Sequence, residues 1–371
     1  MEKNIKNIIK AKIGGYVTYE EFIQLALYHP EYGYYRSNQA KIGAHGDFIT
    51  SSNIGDVFGR TLGRWFMYIF RNFQLNKTIV ELGAGTGKIA QAILSTIEQL
   101  DDDLYSQLNY TLVETSRYHQ EEQKQRLKDY ACAEFKSSLD DLNAVDGIIF
   151  SNEFFDAFPV RIVEKKQGCL YEAVVSIEND QLAEKHIPIQ DQAILTYLRN
   201  QQIRLEEGQR IEIPLSMEEY YRKLSGKIKK GILLTIDYGY TNKEWTDPVH
   251  RNGSIRGYKE HQMITDVLKK PGEMDITTHI HWDCLRHCPS ELGIETTAFL
   301  PQSEFLIRAG ILEEFNEGAV GQPFSLEHKR NRAIRTLIDP RQISSSFQAL
   351  IQTKNLEVSS DDLFAPSAFN K

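Results

Sequence analysis

The stretch Thr78-Ile-Val-Glu-Leu-Gly-Ala-Gly-Thr-Gly-Lys-Ile-Ala90 constrains the fold more than any other part of this 371-residue chain. A short apolar run leads into Gly83, Gly85 and Gly87, and a helix-forming segment follows directly. Glycine permits the tight turn and lets a ligand approach the backbone beside the positive end of the new helix. The chain then repeats the alternation. Strands are expected at Thr78–Leu82, Tyr110–Val113, Ala133–Phe135, Gly147–Phe150 and Ile232–Ile236, with helices over Val57–Phe70, Ile89–Leu100 and Gln120–Asp129. Such spacing implies an α/β fold, a doubly wound Rossmann-like parallel sheet. Glu295–Phe299 and Phe347–Gln352 are expected to pair as antiparallel edge strands.

Two segments do not fit a simple alternation. Residues 1–30 read as helical, with Phe22, Leu25 and Ala26 at helical spacing behind a Thr18/Glu21 capping box, and His29-Pro30 ends that run. Residues 31–56, rich in Gly, Tyr, Ser and Asn, form a long loop of the kind that carries function. Residues 160–230 are too long for one crossover, and the alternation in Arg161–Glu164 and Leu170–Ile177 predicts an inserted hairpin.

Composition excludes several classes of function. With 43 Lys+Arg against 51 Asp+Glu, the net charge of −8 argues against nucleic acid as a partner. No apolar run approaches the ~20 residues that insertion into a membrane requires. The N-terminal residues lack the apolar centre of a signal peptide. Four scattered cysteines suggest free thiols in a reducing, cytoplasmic setting.

The glycine loop suits two cofactors. Gly85-Thr-Gly-Lys-Ile-Ala90 matches the dinucleotide pattern, and Glu81-Leu-Gly-Ala-Gly-Thr-Gly87 matches the S-adenosylmethionine loop equally well. A carboxylate at Glu81 would repel a pyrophosphate and favour a sulfonium. Glu114, at the end of the next strand, is placed to hold ribose hydroxyls. It lies 29 residues beyond Gly85, later than the ~20 usual for dinucleotides. The balance favours S-adenosylmethionine.

The fourth strand runs into Ser151-Asn-Glu-Phe-Phe-Asp-Ala-Phe-Pro-Val160. Ligands in open α/β sheets bind beyond the carboxyl ends of the strands, so Asn152, Glu153 and Asp156 should face the reactive end of the cofactor. Paired carboxylates suit a guanidinium acceptor, whose planar fork they can fix. The competing reading makes Asp156 a helix cap and Glu153 its solvated neighbour. Two weaker signals follow later in the chain. The run Thr278-His-Ile-His-Trp-Asp-Cys-Leu-Arg-His-Cys288 lacks paired metal-ligand spacing, so a helix with buried cysteines is expected and no metal site. The tyrosines of Asp237-Tyr-Gly-Tyr240 are candidates to wall a substrate channel.

These residues together resemble the MidA family of S-adenosylmethionine-dependent methyltransferases, whose members include a mitochondrial assembly factor for respiratory complex I. The resemblance is carried by Tyr28-His-Pro-Glu-Tyr-Gly-Tyr-Tyr35, Gly46-Asp-Phe-Ile-Thr-Ser51, the glycine loop, Val113-Glu-Thr-Ser116 and the stretch Ser151–Val160. Further on it continues through Asp237–Tyr240, Gly253–Tyr258 and Pro271–His279. It implies a seven-strand methyltransferase core over 76–159 and 231–358. An N-terminal helical lid would span 1–75, and 160–230 would be a substrate-facing insertion.

By the same resemblance, Gly83, Gly85, Gly87 and Glu114 would bind the cofactor, with Glu81 added on the charge argument above. Gly46, Asp47, Thr50 and Ser51 fold over it, and Asn152, Glu153 and Asp156 are catalytic. The implied acceptor is an arginine of a protein substrate, such as a complex I subunit. A small-molecule methyltransferase, a non-catalytic scaffold and, more remotely, a nicotinamide oxidoreductase are the alternatives. The chain departs from the family pattern at Ser52, Asn53, Arg60, Gly253-Ser-Ile255 and His281.

Overall fold

The computed structural model describes residues 1–36, 56–260, 262–287, 292–315, 325–339, 341 and 346–364. These fall into two compact units. One comprises 56–154, 223–238 and the described residues from 292 onward; the other comprises 1–36, 155–222 and 239–287. The expected lid, 1–75, is thus divided between the two. The expected insertion, 160–230, shares a unit with the N-terminal helices up to residue 222.

The nucleotide-type unit is built on seven strands: β1 (Thr78–Leu82), β2 (Asn109–Val113), β3 (Ala133–Lys136), β4 (Val145–Asn152), β5 (Ile228–Tyr240), β6 (Ile294–Pro301) and β7 (Phe347–Lys354). Their spatial order is 3-2-1-4-5-7-6. The pairs β3–β2, β2–β1, β1–β4 and β4–β5 are parallel, whereas β7 runs antiparallel to both β5 and β6. β6 and β7 were expected as an edge pair; β7 lies inside, between β5 and β6. Strand order reverses between β1 and β4, where Leu82 is paired with Ser151. Ligand crevices open at such a switch point, beyond the carboxyl ends of the strands.

Helices α1 (Val57–Asn72), α2 (Lys88–Leu100), α3 (Arg117–Arg126), α4 (Gln302–Arg308) and α5 (Leu326–Ile338) belong to the same unit. The parallel strands are buried, and Ile79, Leu112, Ile148, Phe150 and Leu234 have no exposed surface. That is why they read as apolar runs without alternation. α1 and α2 approach closely because Gly59 and Gly63 present no side chain. A Cβ at Gly59 would lie 2.6 Å from the Ala92 Cβ, and one at Gly63 would lie 3.2 Å from the Ile93 carbonyl oxygen.

The other unit has a five-stranded antiparallel sheet. The long strand Cys169–Glu178 pairs with Arg161–Lys166 and Tyr16–Thr18 along one edge and with Gln181–Pro188 along the other; Arg210–Ile213 extends the sheet. The expected hairpin is present and is enlarged by three further strands. Helix Tyr19–Tyr28 starts at the expected capping box: the Glu21 N–H donates to Thr18 Oγ1 at 3.1 Å and the Thr18 N–H to Glu21 Oε2 at 3.0 Å. It ends at His29 in extended backbone, as the following proline demands. No described helix is long and apolar enough to cross a membrane.

Candidate active site

The glycine loop follows β1 directly. Gly83, Gly85 and Gly87 all have positive φ, at 65°, 51° and 75°, the left-handed region that glycine enters without a Cβ penalty. The Gly83 N–H donates to the Val113 carbonyl at 2.9 Å, and the Gly87 N–H closes a turn onto Ala84 at 2.9 Å. α2 then begins with no side chain capping its first amides. The positive end of the helix thus adjoins the glycine loop.

Glu114 lies one residue past β2. Its Oε2 accepts the Gly85 N–H at 3.0 Å and its Oε1 accepts the Ser116 N–H at 2.8 Å. The central glycine N–H that a pyrophosphate would need is therefore already used, which removes the main attraction of the dinucleotide reading. Each carboxylate oxygen keeps a second lone pair for a ribose hydroxyl. Two residues of α3 complete the loop's support. Gln123, fully buried, donates through Nε2 to the Gly85 carbonyl at 2.7 Å, and Arg126 Nε donates to the Thr86 carbonyl at 2.9 Å. The sequence marks neither: α3 is polar throughout, and polar helices read as solvated.

Glu81 departs from the electrostatic role expected of it. Its side chain is buried within the sheet and accepts a 2.7 Å hydrogen bond from the Tyr110 hydroxyl. Burial pushes its pKa up to about 8, with Tyr110 opposing and Glu114 adding to the rise. At neutral pH the group is mostly protonated, so it supplies little of the negative charge on which the cofactor choice was first argued. The Gly85–Glu114 contact carries that choice instead.

At the end of β4, Asn152 Nδ2 donates to Glu153 Oε1 at 3.2 Å. Glu153 itself has φ +49°, rare for a residue with a Cβ, and its N–H is held by the Ile236 carbonyl at 2.9 Å. The next N–H, of Phe154, donates to Asp237 Oδ2 at 3.3 Å. The segment therefore leaves the strand in one enforced direction. The nucleotide-type unit ends at Phe154.

Asp156 lies in the other unit, inside the single 3-10 turn Phe155–Ala157, and is 4% exposed. It caps no helix. Its backbone carbonyl accepts the Thr278 N–H at 2.9 Å, and the Tyr28 hydroxyl donates to the Ala157 carbonyl at 3.0 Å. The Tyr35 hydroxyl donates to Asp275 Oδ1 at 2.7 Å; burial first, then Asp275, Tyr28 and Asp156, hold that phenol well above its ordinary pKa.

The remaining sequence candidates separate. Gly46, Asp47, Thr50 and Ser51, with the departures Ser52 and Asn53, lie outside the described residues. Tyr238 packs edge-on against Phe347 and is 8% exposed, so it belongs to the core rather than to a channel wall. Tyr240, in the other unit, stacks on His279 with ring centroids 4.4 Å apart. His281 is buried and bonded through Nδ1 to the Tyr197 hydroxyl at 2.8 Å. Burial lowers both histidines to about 3. Arg60, where the family pattern has a glutamate, pairs through Nε with Glu314 at 2.8 Å, alongside Arg64 at 3.0 Å. Glu164, Glu184 and His186 approach closely enough to hold a metal ion. However, Lys166 already bonds Glu164 at 3.2 Å and Arg210 grips Glu184 at 2.8 and 2.6 Å, which makes the group an ion-pair network.

Comparison with known proteins agrees with this geometry. Residues 61–300, more than half of the chain, match the family described as "Putative S-adenosyl-L-methionine-dependent methyltransferase". The chain is 26% identical over 378 residues to the mitochondrial protein arginine methyltransferase NDUFAF7 of Danio rerio, covering 94% of this chain and 86% of that protein. It is 28% identical over 387 residues to the Rattus norvegicus protein of the same name, covering 95% and 84%. A crystal structure of a COG1565 superfamily member from Burkholderia thailandensis, bound to S-adenosylhomocysteine, superposes with a TM-score of 0.87 at 23% identity. The match covers 100% of this chain and 96% of that one, and at this identity it shows a shared fold.

The expectation of a cytoplasmic location is overturned by these relatives, which are mitochondrial proteins. Sparse free cysteines report a reducing environment and not which compartment provides it. The matched family, the strand order and the glycine loop held by Glu114 agree: the chain belongs to the S-adenosyl-L-methionine-dependent methyltransferases, related to the MidA and NDUFAF7 proteins, and its cofactor is S-adenosylmethionine.

Proposed function

We propose that this protein methylates an arginine side chain of a protein substrate, with Asn152, Glu153 and Asp156 serving the acceptor. The observation that carries the reading is the backbone of Glu153. A carboxylate-bearing residue is held at φ +49° at the end of β4, beside the glycine loop across the switch point. Such a conformation costs on the order of 1 kcal/mol and persists where the surroundings enforce it, commonly at functional sites. Relatives named as protein arginine methyltransferases support the choice of acceptor.

In this reading Gly83, Gly85 and Gly87 cradle the cofactor, the N-terminus of α2 lies at its polar end and Glu114 holds its ribose. Glu81 and Tyr110 support the loop from below. When bound, S-adenosylmethionine supplies an electrophilic methyl on a sulfonium, which leaves as the neutral thioether of S-adenosylhomocysteine. Glu153 accepts N–H bonds from the guanidinium, fixes its plane and aligns one nitrogen for in-line attack, with Asp156 as a second candidate carboxylate. That nitrogen gains the methyl and gives up a proton, which one of the two carboxylates accepts. Asn152, bonded to Glu153 Oε1, keeps that carboxylate oriented.

The test is incubation with isotope-labelled S-adenosylmethionine and mitochondrial extract, followed by acid hydrolysis and mass spectrometry. By resemblance, an arginine of a complex I subunit is the acceptor to examine first. Methylated arginine that forms with the native protein and falls by about a hundredfold or more with Glu153→Gln supports the proposal. Label that enters only small molecules would refute it in favour of a small-molecule methyltransferase.

A further inference from the structure

We propose that Phe154 is a positioning residue for the cofactor loop, and that Asp237 acts through it, so that the carboxylate segment after β4 and the glycine loop after β1 are set as one piece. The assignment of the segment as acceptor-binding rests on the function proposed above. The coupling rests on contacts within the nucleotide-type unit alone.

Four contacts build it. Asp237, fully buried at the end of β5, offers one carboxylate oxygen to each of two backbone donors: Oδ1 takes the Tyr238 N–H at 2.9 Å and Oδ2 takes the Phe154 N–H at 3.3 Å. The Ile236 carbonyl holds the preceding N–H, of Glu153, so two successive amides of the exit segment are tied to β5. The Phe154 ring then lies over Gly83: a Cβ built there would be 2.5 Å from Phe154 Cδ2 and 3.3 Å from both Cε2 and Cγ.

Gly83 therefore answers two demands at once. Its φ of +65° disfavours a side chain, and the ring occupies the space a side chain would need. A buried carboxylate with two backbone partners is a rigid anchor, because rotation would leave an N–H unsatisfied in a dry site. Displacing the ring moves Gly83, and displacing Gly83 moves the exit of Glu153. The loop that binds the donor and the residue proposed to orient the acceptor thus share one fixed point, which transfer between aligned atoms requires.

The test is a double-mutant cycle on the full chain, read as S-adenosylhomocysteine affinity by titration calorimetry. Gly83→Ala should weaken binding by about tenfold or more, from backbone strain and the ring clash together. Phe154→Ala alone should cost a few-fold. In the double variant the clash disappears, so Gly83→Ala should cost at least about threefold less than it does against the native ring. Asp237→Asn keeps the shape but has one acceptor oxygen for two N–H groups. It should weaken binding a few-fold in the native background and have no further effect beside Phe154→Ala. If Phe154→Ala does not fold, Phe154→Leu closes the same cycle.

Equal losses from Gly83→Ala in both backgrounds would overturn the coupling, and equal losses from Asp237→Asn would remove Asp237 from it. A general loss of stability would lower the melting temperature without producing this rescue. The readout needs no methyl acceptor. The cycle can therefore fail while methylarginine still forms, or succeed while the arginine proposal fails.

Discussion

Glu114 and Glu81 sit on neighbouring strands and do opposite things with the same functional group. Glu114 stays at the rim, with one oxygen on the Gly85 N–H and the other on the Ser116 N–H. Glu114→Gln retains one acceptor and turns the other into a donor facing a donor. The expected loss of S-adenosylhomocysteine affinity is about tenfold, the order of an unmet buried hydrogen bond, checked by titration. Glu81 is buried against Tyr110, and its pKa is raised from 4.5 to about 8, chiefly by burial. The native state thus holds a proton that the unfolded chain releases above about pH 4.5. The associated stability is fully present below that pH and is lost as pH rises through about 8. Glu81→Gln should flatten this decline and be more stable than the native protein at pH 9, by on the order of a few kcal/mol in urea unfolding.

At the scale of elements, the glycines of α1 matter for packing and not for turns. Gly59 and Gly63 have ordinary helical backbone, yet a Cβ at Gly59 would fall 2.6 Å from the Ala92 Cβ on α2. Gly59→Ala should destabilise the protein by about 1 to 3 kcal/mol despite alanine's better helix propensity. Ala92→Gly in the same chain should recover part of that loss, as urea denaturation would show. The element types here were legible from pattern: apolar runs for β1, β4 and β5, the Thr18/Glu21 capping box, and the alternation of the inserted hairpin. The role of α3 was not. Gln123 and Arg126 act on loop carbonyls 38 and 40 residues earlier, and nothing in a polar helix indicates what its polar face meets. The place of β7 was also hidden, because strand order is a matter of which edges pair and local sequence does not encode it.

For the whole molecule, the two units should respond differently to acid. His279 and His281 belong to the unit of the five-stranded sheet, and burial, as the largest cause in each, lowers both to about 3. Their unfolded forms bind protons from about pH 6.5 downward while the native forms do not. The stability they contribute is therefore present above that pH and is lost as pH falls toward 3. Hydrogen exchange between pH 7 and pH 5 should show weakening around Ile280–His281, and His281→Asn should reduce its pH dependence. Protection in β1 should change in the opposite sense over the same range, because native Glu81 already holds a proton that the unfolded chain takes up only as pH falls toward about 4.5. Uniform weakening of both units would contradict the assignment.

What the amino-acid order determined alone were features that depend on near neighbours: apolar runs of strand length, three alternate glycines before a helix, a capping box, and a proline that stops a helix. Those sufficed for the α/β class and the cofactor loop, since steric limits on φ and burial of apolar side chains act over a few residues. Only the tertiary structure decided that Glu81 is buried with its pKa raised, which glycines make room for a ring or a helix, and which backbone donor each buried acid serves. Those outcomes depend on groups far apart in sequence, such as Asp237 and Phe154 or Glu314 and Arg60, brought into contact by the fold and shielded from bulk water. There, desolvation and the count of available partners set charge and geometry.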